Sequence, residues 1–223
     1  MPFIALLQER CELHDIRGAQ DYRLLARKLA QPLYFTGPAA SLELSQLLPV
    51  FAPGASAAPQ VIDVAMGRSM RVPRAAGPVA CFPFPDLCEQ PVAAADYIAL
   101  CERFHTILVD GAPVFDAATR AAAHRLVTLV DVAYEQRVRL IFAAAAPPPQ
   151  LFAGIVTQAD FRAIKAGATG AAADELVVDD VVGFSKERTV SRLIEMSSLH
   201  YARQHAARHA PELLPSLPEE AVV

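Results

Sequence analysis

Between His105 and Ala146 two apolar, β-branched runs flank a long stretch with helical periodicity, and this order of elements restricts the fold more than any other feature of the chain. His105 to Val109 and Val138 to Ala146 read as strands, while Asp116 to Gln136 carries its apolar residues at helical spacing. Continuous apolar runs of this kind belong to strands buried on both faces. Two of them joined by one helix must lie parallel, through a right-handed crossover. The expected class is α/β, with a partial parallel sheet built from this βαβ unit and flanked by helices.

The flanking sequence adds smaller elements. Pro2 to Arg10 has the spacing of a short helix, with Ile4, Leu6 and Leu7 as its apolar positions. Leu33 to Phe35 suggests a strand ended by Gly37-Pro38, and Leu42 to Leu48 suggests two helical turns. Ala52 to Gln60, rich in Pro, Ala, Gly and Ser, reads as a linker. Val61 to Val72 alternates around Met66-Gly67 and predicts a β-hairpin, with Val79 to Phe84 as a third strand of a small β-hairpin subdomain. Ala93 to Arg103 has a helical composition. Beyond Pro149 a long irregular region containing GATGAAADELVVDD runs until helical spacing resumes over Glu187 to Arg208. The expected organisation is a helical and strand segment with linker over 1–58, the hairpin subdomain over 59–91, the βαβ unit and C-terminal helix over 92–209, and a flexible tail over 210–223.

With 223 residues, 53% of them hydrophobic, the chain can bury a full core. A net charge of −4 gives no long-range field to recruit nucleic acid or an anionic membrane. Arg68, Arg71 and Arg74 make the hairpin locally basic, but no aromatic residues are interleaved for base stacking, so they read as a charged, solvated edge. Cys11, Cys81, Cys88 and Cys101 form no CxxC pair and read as reduced, mostly buried thiols. The N-terminal residues do not form a signal peptide, and Leu140 to Ala146 falls far short of the roughly 20 residues a membrane-spanning helix needs. The expected location is the cytoplasm.

Several separated segments together resemble one family: PFIALL at the start, DYR at Asp21 to Arg23, Tyr34-Phe35, GRSMRVPRAAGPVACF from Gly67, AADYIALCERFHTILVDGAPVF from Ala94, RLVTLVDVAYEQRVRLIFAAAAPP from Arg125 and RTVSRLIEM from Arg188. In this order they resemble the ZapE cell-division ATPases and their AFG-like mitochondrial relatives. The resemblance implies a P-loop ATPase that uses ATP and magnesium, remodels the division ring and has the tubulin-like protein FtsZ as partner. In that family the phosphate-binding loop and Walker B pair precede the PFIALL segment, which begins here at Pro2. The chain is therefore expected to be the C-terminal half, from an N-terminally truncated product or a split gene, and inactive alone. No Gly-Lys pair occurs in the sequence, so GxxxxGK[ST] is absent. A non-enzymatic interaction module that kept the partner surface is the other reading. An incomplete sheet is also expected to expose an edge and promote self-association.

Ile107-Leu108-Val109-Asp110 imitates a Walker B strand, but Gly111 follows where a second carboxylate would be needed, and Asp110 is expected to cap the turn before Pro113. Asp131, Glu135 and Arg139 read as helix-surface charge pairs. Arg188 and Arg192, four residues apart near the start of the last helix, carry positive charge where the helix dipole disfavours it. The resemblance suggests them as nucleotide-sensing residues. The competing reading pairs Arg188 with Asp179, Asp180 and Glu187, and Arg192 with Glu195. His105 reads as a hydrogen-bonding residue at the entry of a buried strand, and His205 and His209 as an i,i+4 pair without a clear third metal ligand. No catalytic residue and no metal ligand is assigned.

Overall fold

A computed structural model describes residues 33–167 and 176–217. The helix expected at Pro2 to Arg10, the DYR segment, Cys11 and residues 168–175 and 218–223 lie outside them. The elements in chain order are β1 (Tyr34–Thr36), α1 (Ala40–Phe51), β2 (Ala58–Val64), β3 (Arg68–Ala76), β4 (Val79–Pro83), α2 (Ala94–Arg103), β5 (Thr106–Ala112), α3 (Arg120–Glu135) and β6 (Arg139–Ala144). There follow α4 (Pro148–Leu151), β7 (Ile155–Val156), α5 (Gln158–Gly167), β8 (Val177–Val178), α6 (Asp180–Met196) and α7 (Leu199–His209). Six strands form one mixed sheet in the order β1-β6-β5-β4-β3-β2, and β7 and β8 form a two-stranded parallel sheet.

The βαβ unit stands as the periodicity requires. β5 and β6 are parallel, with Thr106 opposite Arg139 and Val109 opposite Phe142, and every residue of β6 is buried. α3 supplies the crossover and buries Ala122, Ala123, Leu126, Val127, Leu129, Val130 and Ala133. β4 and β1 extend the parallel set on either side. α1 lies on this set with Ala40, Leu44, Leu47 and Leu48 inward, the i, i+4, i+7, i+8 pattern of a helix with one apolar stripe.

Several local expectations change. The hairpin turns through Ala65–Gly67, where Met66 (φ 63°) joins Gly67 (φ 68°) in the left-handed region. It is not a sheet of its own: β3 pairs with β4 and β4 with β5, so the hairpin is the antiparallel wing of the central sheet. The end of the presumed linker, from Ala58, is strand β2, because β3 offers a partner that local composition does not reveal. The region after Pro149 carries α4, β7 and α5, of which α4 and β7 are too short to show a period but are fixed by the buried side chains of Leu151, Phe152, Ile155 and Val156. The helix expected from Glu187 begins at Asp180, because Asp179 caps it by accepting the Val182 N–H at 2.9 Å. Gly183 is required there: a Cβ would lie 2.9 Å from Thr157 N and 3.1 Å from Val156 C. The same helical spacing is broken at Ser197-Ser198, so α7 is separate. Part of the expected tail, Pro211–Ser216, is a 3-10 helix.

Arg139 is not on a helix surface. It is the first residue of β6 and 1% exposed, with its guanidinium 5.4 Å from the Phe51 ring centroid. Cys81, Cys88 and Cys101 are buried and unpaired with one another, and burial pushes the thiols up, those of Cys88 and Cys101 to about 12. No helix among the described residues is long and apolar enough to cross a membrane.

Candidate functional site

Ligands of open α/β sheets sit outside the carboxyl ends of the parallel strands. At that end β1 runs through Gly37-Pro38-Ala39 into α1, and Ser41 in the first turn donates its hydroxyl to Asp110 Oδ1 at 2.6 Å. β6 lies between β1 and β5. A hydroxyl at the start of the helix after one strand, facing a carboxylate at the end of a nearby parallel strand, is how P-loop proteins hold magnesium. Asp110 therefore has its partner in Ser41, 69 positions away, and not in the turn before Pro113.

The residues around the pair do not fit a nucleotide. Gly37 to Ser41 contains no lysine, Pro38 has no N–H to offer a phosphate, and Glu43 puts negative charge in the first turn of α1. What remains is a hydrogen bond that ties α1 to β5. The sequence signal for Ser41 was Gly-Pro-Ala-Ala-Ser directly after a strand, read there only as a break.

Arg188 and Arg192 lie in the body of α6, away from the positive end of its dipole, so the electrostatic conflict expected at a helix start does not arise. They face α3. Arg188 reaches Asp131 Oδ2 at 3.0 Å, and Arg192 bonds Asp131 Oδ1 and reaches Glu135 Oε1 at 3.2 Å. Tyr134 lies under the Arg192 guanidinium at 4.8 Å and donates its hydroxyl to Glu195 Oε1 at 2.8 Å. The expected partners Asp179, Asp180, Glu187 and Glu195 are thus replaced by Asp131 and Glu135 of the neighbouring helix. Arg192 is one-fifth exposed and satisfied from two carboxylates and a ring, whereas Arg188 keeps 54% of its side chain in solvent.

Asp179 is the focus of a second cluster. Its buried carboxylate accepts the Val182 N–H, the His124 Nε2 at 2.7 Å and the Arg120 Nε, joining the start of α3 to the start of α6. Burial pushes this carboxyl up, but the Val182, Arg120 and His124 hydrogen bonds outweigh it and hold the group at about 2. An Asp followed by a second Asp ahead of an apolar stretch was the readable capping signal.

A groove of about 880 Å³ lies between the hairpin and the start of α2, with Arg68, Arg71, Asp86, Gln90 and Asp96 in its wall. Its charges offset one another. Asp96, 1% exposed, accepts the Arg68 guanidinium at 2.5 Å and the Ala93 N–H at 2.9 Å. Opposite, at the amino ends of the strands, His105 meets the pair His205 and His209, with ring centroids 5.3 and 5.8 Å away. No group of three or more His, Cys, Asp or Glu among the described residues could hold a metal ion.

A family model described as AFG1-like ATPase matches residues 1–166. Lactation elevated protein 1 homolog B of Danio rerio is 31% identical over 213 residues, covering 90% of this chain and 42% of the relative. An uncharacterised protein of Schizosaccharomyces pombe is 31% identical over 156 residues, 68% of this chain and 34% of its own. Cell division protein ZapE of Escherichia coli is 25% identical over 211 residues, 93% of this chain and 49% of its own. The chain thus spans about half or less of the length of these relatives. No solved structure matches.

Proposed function

The chain belongs to the AFG1-like ATPase family, and from that premise we propose that it is the C-terminal portion of such an ATPase, associated with cell division and without hydrolytic activity by itself. The observation that supports this is the carboxyl end of the parallel strands, where the Gly37-to-Ser41 connection has no lysine and carries a proline, and Asp110 is held by Ser41. ATP and magnesium would then be held by a GxxxxGK[ST] segment that these 223 residues do not contain. In the assembled enzyme Arg188 and Arg192 are the candidates for sensing the γ-phosphate. Arg188 is the freer of the two, since Arg192 would have to leave Asp131, Glu135 and Tyr134.

The experiment is magnesium-dependent ATP hydrolysis by the purified chain, alone and joined to an N-terminal half carrying GxxxxGK[ST]. No turnover alone and turnover on joining is the expected result. In the joined enzyme, removing a sensor arginine should lower turnover roughly ten- to a thousandfold while leaving nucleotide affinity nearly intact. Turnover by the chain alone, lost in Asp110→Ala, would overturn the reading.

A second reading, a non-enzymatic interaction module, is favoured by one feature: Val181 and Phe184 on α6 are 65% and 73% exposed. Its partner would be a division-ring protein such as FtsZ, as the resemblance to ZapE suggests. Binding of FtsZ by this chain without ATP, lost in Phe184→Ser, separates it from the first.

A further inference from the structure

α7 closes the corner where α3 turns into β6 by meeting backbone carbonyls at and just beyond the C-terminus of α3. Tyr201 donates its hydroxyl to Val138 O at 2.9 Å and Ala133 O at 3.2 Å. His205 Nδ1 meets Arg137 O at 2.8 Å, His209 Nε2 meets Gln136 O at 3.1 Å, and Arg208 reaches Glu135 O at 3.4 Å. Arg137 holds a φ of 57°, and its guanidinium covers the Tyr134 and Tyr201 rings at 5.0 and 5.6 Å.

Two of those contacts are made by imidazoles, and they are crowded. His205 is 2% exposed, with the rings of His105 and His209 at 5.3 and 5.2 Å. Among the described residues the side chains that act on it are His105 just before β5, Arg139 from β6 and His209 from α7 itself, each cationic or able to become so, while the Arg137 carbonyl acts the other way. The packed elements also carry Glu135 at the end of α3, Arg137 in the corner, and His200, Arg203 and Arg208 on α7, and His105 and Arg139 have further partners of their own.

We propose that α7 is an acid-released clip, docked while the His105–His205–His209 cluster is neutral and undocked from the α3–β6 corner when it takes up protons, with the six-stranded sheet still folded. A proton on His205 would place a second charge beside the buried Arg139 guanidinium in a site with little water to screen it. Burial first, and Arg139 next, hold His205 well below the usual 6.5. The sign follows. Docked His205 binds its proton less readily than the solvated residue does, so docking is complete above about 6.5 and weakens as pH falls, up to about tenfold per pH unit for each proton taken up. Release would bare the carbonyls of 133–138 and the buried faces of Tyr201 and Ala206.

The test is amide hydrogen exchange of the full chain from pH 8 to 5.5, corrected for the intrinsic rate, comparing a peptide over Leu199–His209 with peptides over β5 and β6. Protection of α7 should fall several- to tenfold per unit below about 6.5, while that of the strands is unchanged. In His205→Gln the pH dependence should disappear. Should that variant fail to dock α7 at pH 8, His209→Gln takes its place, and its release should move to lower pH because one potential like charge is gone. α7 protection that does not vary with pH, equal loss in α7 and the strands, an unchanged pH profile in His205→Gln, or an unmoved release in His209→Gln would each overturn the proposal.

Discussion

The two ends of the β5–β6 pair are built in opposite ways. At the carboxyl ends, where α/β sheets keep their ligands, the side-chain contact among the described residues is the exposed hydrogen bond from Ser41 to Asp110. At the amino ends, where no site is expected, Arg139, His105, His205 and Tyr201 are packed with α7, and Tyr201 and His205 direct their hydrogen bonds to carbonyls at and just beyond the end of α3. The difference teaches that the end of a sheet where ligands usually sit can be tied by little, while cohesion comes from the opposite end. Asp110 and Ser41 tie α1 to β5. The histidines and Tyr201 retain a packed junction.

Three substitutions probe this contrast, from the largest expected effect down. Tyr201→Ala removes a fully buried ring and two hydrogen bonds from the amino-end junction, and should cost about 3–5 kcal/mol in urea unfolding. Asp131→Ala leaves Arg188 and half of the Arg192 contacts without a carboxylate between α3 and α6. Because that pair of helices is partly solvated, about 1 kcal/mol is expected, read from the shift of the urea midpoint and reduced by added salt. Ser41→Ala deletes a single exposed hydrogen bond at the carboxyl end and should cost about 0.5 kcal/mol. If Ser41→Ala proved as damaging as Tyr201→Ala, the carboxyl end would be a structural keystone and the contrast would collapse.

Much of the fold was legible because it rests on long periods. The apolar runs at Thr106–Ala112 and Arg139–Ala144 and the helical stripe of Arg120–Glu135 can be satisfied only by a parallel, doubly covered unit. Strand β1 and helix α2 also lie where alternation and composition place them. The two-residue strands β7 and β8 and the start of α6 were not legible, since elements this short have no period and are held by partners distant in sequence. The membership of β2 and β3 in the main sheet was hidden for the same reason: a hairpin's local pattern is identical whether it stands apart or pairs onward with β4.

The candidate site divides in the same way. Residue types and motif order settled the family, and the absence of a Gly-Lys pair settled that no phosphate loop of the GxxxxGK[ST] type lies in these 223 residues. Partners were decided by the tertiary structure alone. Arg188 and Arg192 had four acidic neighbours within a few residues, yet Asp131 and Glu135 hold them, because α6 packs its arginine-bearing side on α3. His105 could be given no partner from sequence, and His205 and His209 stand about a hundred residues further on. A charge or an imidazole is chosen locally, but what it meets depends on which elements the sheet brings side by side, and that is fixed only when the whole apolar core closes.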